Sequence, residues 1–213
     1  MRPKTISATS LIDLSLAGPH ERVKRVAEAR ELYLRSEDIG FDPDYYRAVK
    51  EGLELQLRNA EPPEWLAAYL ARQPLDATKA RHSRACASGL AEWMRRTKPA
   101  WSGKAKVGNY RHAGLVVRVN PELIVSTRGG GSILLKLYLK EPEATKAKLA
   151  GPLYLLDSVT SDWRPQDMKV GILDARRGTV FTAARLPATA SITLRSEVES
   201  LASIWAQLDA RAA

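Results

Sequence analysis

Val23, Val26, Ala27, Leu32 and Leu34 recur through a stretch without Gly or Pro, with charged residues between them, and this spacing predicts a helix over 21–35. Asp42-Pro43-Asp44 supplies an N-cap, a proline suited to the first helical position and an acid for the first turn. A second helix is therefore expected from Pro43 to about Arg58, with Tyr46, Val49, Leu53 and Leu57 on its buried side. Pro62-Pro63 ends it, and a third helix is expected through Trp65, Leu66, Tyr69 and Leu70. The stretch from Thr78 to Arg96 holds one glycine, Gly89, and predicts a long helix with Leu90, Trp93 and Met94 facing inward.

After a basic linker, Pro99 to Gly108, the pattern turns to strands. His112 to Asn120 is rich in β-branched residues and ends at Pro121, which cannot donate to a ladder. Glu122 to Ser126 reads as a second strand, Thr127 to Ser132 with Gly129-Gly130-Gly131 as a hairpin turn, and Ile133 to Lys140 as a third strand. That third run is apolar at nearly every position, which marks a strand buried on both faces. Glu141-Pro142-Glu143 is expected to cap a helix running to Asp157, with Pro152 as a kink. Lys169 to Asp174 and Thr179 to Ala183 pair around the turn Ala175 to Gly178, and Ser196 to Leu208 forms a last helix. The pattern predicts an α+β protein. A helical region, 1–106, packs on a mixed sheet with flanking helices, 107–213, as one fused structural unit.

Composition adds two things. At 213 residues with 45% apolar and 27% charged side chains, the chain can bury a core without disulfides or metal. The net charge of +9 is also unevenly placed. Residues 79–111 carry nine basic and one acidic side chain, against 11 and 13 in residues 1–78 and 13 and 10 in residues 112–213. A concentrated basic window is the electrostatic footprint expected of a partner to phosphate backbone. Lys79, Arg81, Arg84, Arg95, Arg96, Lys98, Lys104 and Lys106 are the candidate phosphate contacts, and Trp101 a candidate stacking platform for a base. The bland counterpart is a solvated helix face and a linker docked on the core.

No apolar run approaches the roughly 20 residues that cross a bilayer, so no membrane partner is expected. No apolar segment follows Met1-Arg2-Pro3-Lys4, and a cytoplasmic location is the expectation. Cys86 is the only cysteine, which removes an internal disulfide and a cysteine-based zinc site. His20, His82 and His112 are scattered, and no glycine-rich phosphate loop or nucleophile elbow occurs. No resident metal or cofactor is expected from these patterns.

The block Asn120-Pro121-Glu122, then Leu135 to Lys140, then a helix carrying Tyr154 and a strand carrying Gly171, resembles in its order of elements the PD-(D/E)XK nuclease core. That resemblance implies Mg²⁺ chemistry, with Glu122 as a metal ligand and Lys136 positioning water. The chain departs from the family where it matters most. Leu134 stands two residues before Lys136, where an acid belongs, and Tyr138 two before Lys140. Asp157 or the N-terminal acids would have to complete the site; otherwise Lys136 or Lys140 makes a structural ion pair with Glu122. Across about 170 residues the chain also resembles a widespread family of uncharacterised bacterial proteins. The resemblance rests on Asp42 to Tyr46, Lys79 to His82, Asn120 to Leu123, Leu135 to Lys140, Leu173 to Phe181 and Ile204-Trp205.

The leading expectation is a protein that binds DNA or RNA on a catalytically degenerate nuclease-like fold. The alternatives are an interaction module meeting an acidic protein, such as an adaptor or inhibitor in a bacterial defence or toxin system, and a Mg²⁺-dependent nuclease. Enzymatic activity is not the favoured expectation.

Overall fold

Ser7 ends a strand and opens a helix: its hydroxyl accepts the Ser10 N–H at 3.0 Å, satisfying one of the donors that every helix start leaves free. The computed structural model describes residues 4–39, 45–128 and 130–212. The expected helix start at Asp42-Pro43-Asp44 lies outside them, as does Gly129 of the hairpin turn. Within them the chain is mixed α+β. The elements run β1 (Lys4–Ser7), α1 (Ala8–Leu16), α2 (Pro19–Ile39), α3 (Arg47–Arg58), α4 (Trp65–Ala71), α5 (Ala77–Thr97), β2 (Ala100–Gly103), β3 (Gly108–His112) and β4 (Leu115–Val119). They continue through β5 (Leu123–Ser126), β6 (Ser132–Tyr138), α6 (Ala150–Thr160), β7 (Lys169–Asp174), β8 (Thr179–Thr182) and α7 (Ala190–Ala212).

Strand β6 organises the molecule. It sits third in a five-stranded sheet of order β2-β5-β6-β7-β8, antiparallel to β5 and parallel to β7, with α6 in the connection to β7. Because side chains alternate along a strand, its two faces feed two different cores. Leu134 and Tyr138 pack with α1, α6 and α7, whereas Ile133, Leu135 and Leu137 pack with α3, α4 and α5. The sheet is thus covered by helices on both faces, as its continuous apolar run predicts. A second sheet, of order β1-β4-β3, joins the first of these cores through Ile6, Leu115, Val117 and Val119. Strand β1 runs parallel to β4 and β2 antiparallel to β5, so strands from residues 1–106 complete sheets built by residues 107–213.

Several expectations are corrected. The segment from His112 is a hairpin: β3 and β4 pair around Ala113 and Gly114, both at positive φ (48° and 75°), the geometry of a two-residue primed turn. The basic linker contains β2, in which Trp101 packs against the α3–α5 core while Ala100 and Ser102 are exposed. No helix begins at Glu141. Proline at 142 disfavours helical backbone in the residue before it, and α6 starts at Ala150. Pro152 lies in the first turn of α6, where its missing N–H breaks no helical hydrogen bond, so it makes no kink. Helix α7 begins at Ala190, six residues before the expected start.

One buried acid gives the fold a pH dependence. Glu197 on α7 sits where α7 presses on α6, and its Oε2 fills the space that a side chain at Gly151 would take. Burial pushes its carboxyl from 4.5 up to about 7, with the Ser15 hydroxyl and the Arg22 charge pulling the other way. A carboxyl raised in the folded state holds its proton more tightly there than in the unfolded chain. Its contribution is therefore intact below about pH 4.5 and is lost as pH rises through about 7. Urea unfolding at pH 5 and pH 8 is expected to show a loss of up to roughly 3 kcal/mol that Glu197→Gln removes. An equal slope in the variant would locate the effect elsewhere. Among the described residues no helix is long and apolar enough to cross a membrane.

Candidate functional site

Parallel pairing of β1 with β4 sets Ser7 beside Arg118 and brings the start of α1 against the ends of β4 and β6. A cleft of about 830 Å³ opens there. Thr5, Ser7, Thr9 and Ser10 line it from β1 and the first turn of α1, Tyr33 from α2, Tyr45, Tyr46 and Lys50 from the start of α3, and His82 from α5. Arg118, Asn120, Lys136 and Lys140 line it from the sheets. No Asp or Glu is among the described lining residues.

The two acids that hold this site together sit behind the lining. Lys136, 4% exposed, places Nζ 2.5 Å from Glu122 Oε1 and 3.1 Å from the Asn120 carbonyl. Lys50 Nζ lies 3.2 Å from the same Glu122 oxygen, and Glu122 Oε2 accepts the Leu137 N–H at 2.8 Å. Lys140 pairs with Asp13 on α1, whose carboxyl is raised by burial and partly brought back by that lysine. Arg118 is exposed and has no ion-pair partner among the described residues. Among the described residues four lysine and arginine charges thus meet two carboxylates, and the positive end of α1 adds to the same potential. Arg176 donates to His82 Nδ1 at 3.0 Å, leaving the proton of the neutral ring on Nε2.

Of the expected catalytic pair, Glu122 and Lys136 do meet, and both are committed to each other. The residues do not fit Mg²⁺, which takes several oxygen ligands at about 2.1 Å. Leu134, in the place of the second acid, is fully buried in the core. Both oxygens of Glu122 already accept from protein donors. Asp157 pairs with Arg164, and Asp13 pairs with Lys140. Among the described residues no group of three His, Cys, Asp or Glu side chains comes together.

The basic window does not form one patch. Helix α5 rises about 1.5 Å per residue, which separates Lys79 from Arg96 by roughly 25 Å along its axis. Lys79, Arg81 and Arg84 lie at the end that carries His82, and Lys79 sits 5.6 Å over the Tyr45 ring at the cleft. At the other end Arg95 pairs with Glu64 at 2.8 Å and with Glu92 at 3.3 Å, and Arg96 donates to the Gly178 carbonyl. Lys98 caps α5 with a left-handed backbone. Lys104 pairs with Glu54 at 3.0 Å, and Lys106 lies 5.9 Å over Trp163. Trp101 is half-buried against the α3–α5 core, and Arg58 lies 5.1 Å over its ring.

No protein-family model and no curated protein matches this chain. The site therefore has to be read from its own chemistry. Cys86 is inert in that reading: it is fully buried, donates to the Leu139 carbonyl, and burial pushes its thiol up to about 12.

The residues that sequence reasoning missed are Lys50, Arg118 and the three tyrosines. They lie on three separate stretches of the chain, and residues 1–78, which supply Lys50 and the tyrosines, are acidic on balance. The β1–β4 pairing, between a four-residue strand and one more than a hundred residues later, brings the start of the chain to Arg118, and the Lys50–Glu122 ion pair ties α3 to the same place.

Proposed function

We propose that this protein binds nucleic acid, with phosphates held in the cleft between α1, α3 and the two sheets. The observation that carries the reading is the lining itself: Lys50, Arg118, Lys136 and Lys140 with four Ser or Thr residues, three tyrosines and no described carboxylate. Hydroxyls and cations are the groups that contact phosphate oxygens, and aromatic rings the groups that contact bases. The order α5, β4, β5, β6, α6, β7, with β6 and β7 parallel, supports a nuclease-like ancestry. The separation of β4 into the other sheet and the commitment of Glu122 to two lysines support a binding role over hydrolysis.

The test is fluorescence anisotropy with labelled DNA and RNA 20-mers at 50 and 200 mM salt. Three neutralised phosphates lower affinity by roughly 20- to 40-fold between those concentrations. Arg118→Glu, at the cation with no ion-pair partner among the described residues, is expected to weaken binding about tenfold and to flatten the salt slope. Arg95→Glu, at the distant end of α5, is expected to change little. The reverse ranking would move the contact surface to the far end of α5. Absence of binding at 50 mM would favour an acidic protein partner instead. That second reading is supported by the cleft cations, which would meet the acids of such a partner, and by Val23 and Leu34, 51% and 40% exposed and on one face of α2, which suit a protein surface.

A further inference from the structure

We infer that the cleft accepts unpaired nucleotides and discriminates against duplex, an inference that rests on the reading of the cleft as a nucleic-acid site. The first support is size. About 830 Å³ is the scale of cavities that enclose a small ligand, enough for a few nucleotides but not for a helix, which is read by an element entering its groove from outside. A duplex has its bases stacked inward and could offer this cleft only its backbone.

The second support is the placement of the aromatic rings. Tyr45 and Tyr46 meet edge to face, with centroids 4.8 Å apart and planes at 70°. Tyr45 also meets His82 at 6.2 Å and 73°. Tyr33 is fixed the same way against Trp205, at 5.6 Å and 72°. Edge-to-face contacts hold ring planes in place, and Tyr45 keeps 40% of its surface exposed at the cleft.

The third support is that cations stand beside the rings. Lys79 lies over the Tyr45 ring, and Arg118 stands beside Ser7 across the β1–β4 pairing. A base stacked on tyrosine with its phosphates on cations is the arrangement by which proteins hold single strands with little regard to sequence. A duplex offers only the second half of that arrangement.

The deciding experiment compares a fluorescein-labelled 12-nucleotide single strand, as DNA and as RNA, with the corresponding duplex at 50 mM salt. The comparison uses wild type, Tyr45→Ala, Tyr45→Phe and Arg118→Glu. The single strand is expected to bind at least tenfold more tightly than the duplex. Tyr45→Ala is expected to lose about tenfold on the single strand and nothing on the duplex, and Tyr45→Phe to restore the loss. Equal or tighter duplex binding, or single-strand affinity unmoved by Tyr45→Ala, overturns the inference. If Arg118→Glu still weakens binding in that case, the cleft remains the nucleic-acid site and only the strand selectivity falls. If no form binds wild type at 50 mM, both readings fall together.

Discussion

Alanine at position 89 lowers the free energy of unfolding by about 3 kcal/mol, the upper end of the usual cost of overpacking a core. Propensity alone gives the opposite sign. Gly89 lies in the interior of the 21-residue helix α5, where replacing glycine by alanine ordinarily stabilises by about 1 kcal/mol. Contact decides against it. A Cβ at position 89 would stand 2.3 Å from the Ala175 carbonyl oxygen, 2.4 Å from the Arg176 carbonyl carbon and 2.5 Å from the Arg176 oxygen, all of them backbone.

That backbone has little freedom to retreat. Asp174, fully buried, accepts the N–H groups of Arg176 and Arg177 at 3.1 and 3.3 Å and pairs with the Arg177 guanidinium at 3.1 Å. On the other side α5 is locked by Cys86, Leu90 and Trp93 in the core. The approach is reciprocal, because Gly178, at φ 63°, would bring a Cβ to 2.4 Å from the Gly89 carbonyl. Urea denaturation of Gly89→Ala checks the expectation. Unchanged or increased stability would mean that the helix and turn can separate at little cost.

This crossing also explains part of what the sequence displayed without interpretation. Leu-Asp-x-Arg-x-Gly at 173–178 and the lone glycine of the long helix looked like separate features; in the fold they are two sides of one backbone contact. Periodicity found α3, α5 and β6 because each has a face, or two, whose apolar spacing is continuous. It missed α1 for the opposite reason. Leu11, Ile12, Asp13, Leu14, Ser15 and Leu16 are all buried, so the helix carries no polar stripe to give a period, and two polar residues fall inside the core. The β3–β4 hairpin was hidden because Ala-Gly is not one of the dipeptides that ordinarily signal a primed turn.

The cleft was the least legible part. Charge counted along the chain pointed to residues 79–111, yet several of those cations are spent on Glu54, Glu64, Glu92 or a backbone carbonyl. The cations that converge are drawn from residues 1–78, acidic on balance, and from residues 112–213, where 13 basic side chains stand among 10 acidic ones. A window sees charge by sequence distance, and the electrostatic field depends on spatial distance.

Glu122→Gln is expected to cost about 3–5 kcal/mol, the range found when one partner of a buried ion pair is removed. The substitution keeps shape and leaves an acceptor for the Leu137 N–H, so the loss isolates charge. What remains is the Lys136 ammonium, 4% exposed, facing the Asn120 carbonyl, with the Lys50 ammonium close by. Adding Lys136→Met removes the stranded charge and is expected to restore most of the stability, since an apolar replacement of a buried pair is often nearly neutral. Denaturation of wild type, both single variants and the double variant closes the cycle, and a coupling energy well above 1 kcal/mol identifies the pair as part of the fold. The cycle also weighs the nuclease alternative independently of any assay for cleavage. A carboxylate kept for a metal would be costly to the fold and cheap to neutralise, so a stable Glu122→Gln that lost Mg²⁺-dependent cleavage would return Glu122 to catalysis. A destabilised Glu122→Gln rescued by Lys136→Met assigns the acid to holding two lysines at the floor of a binding cleft.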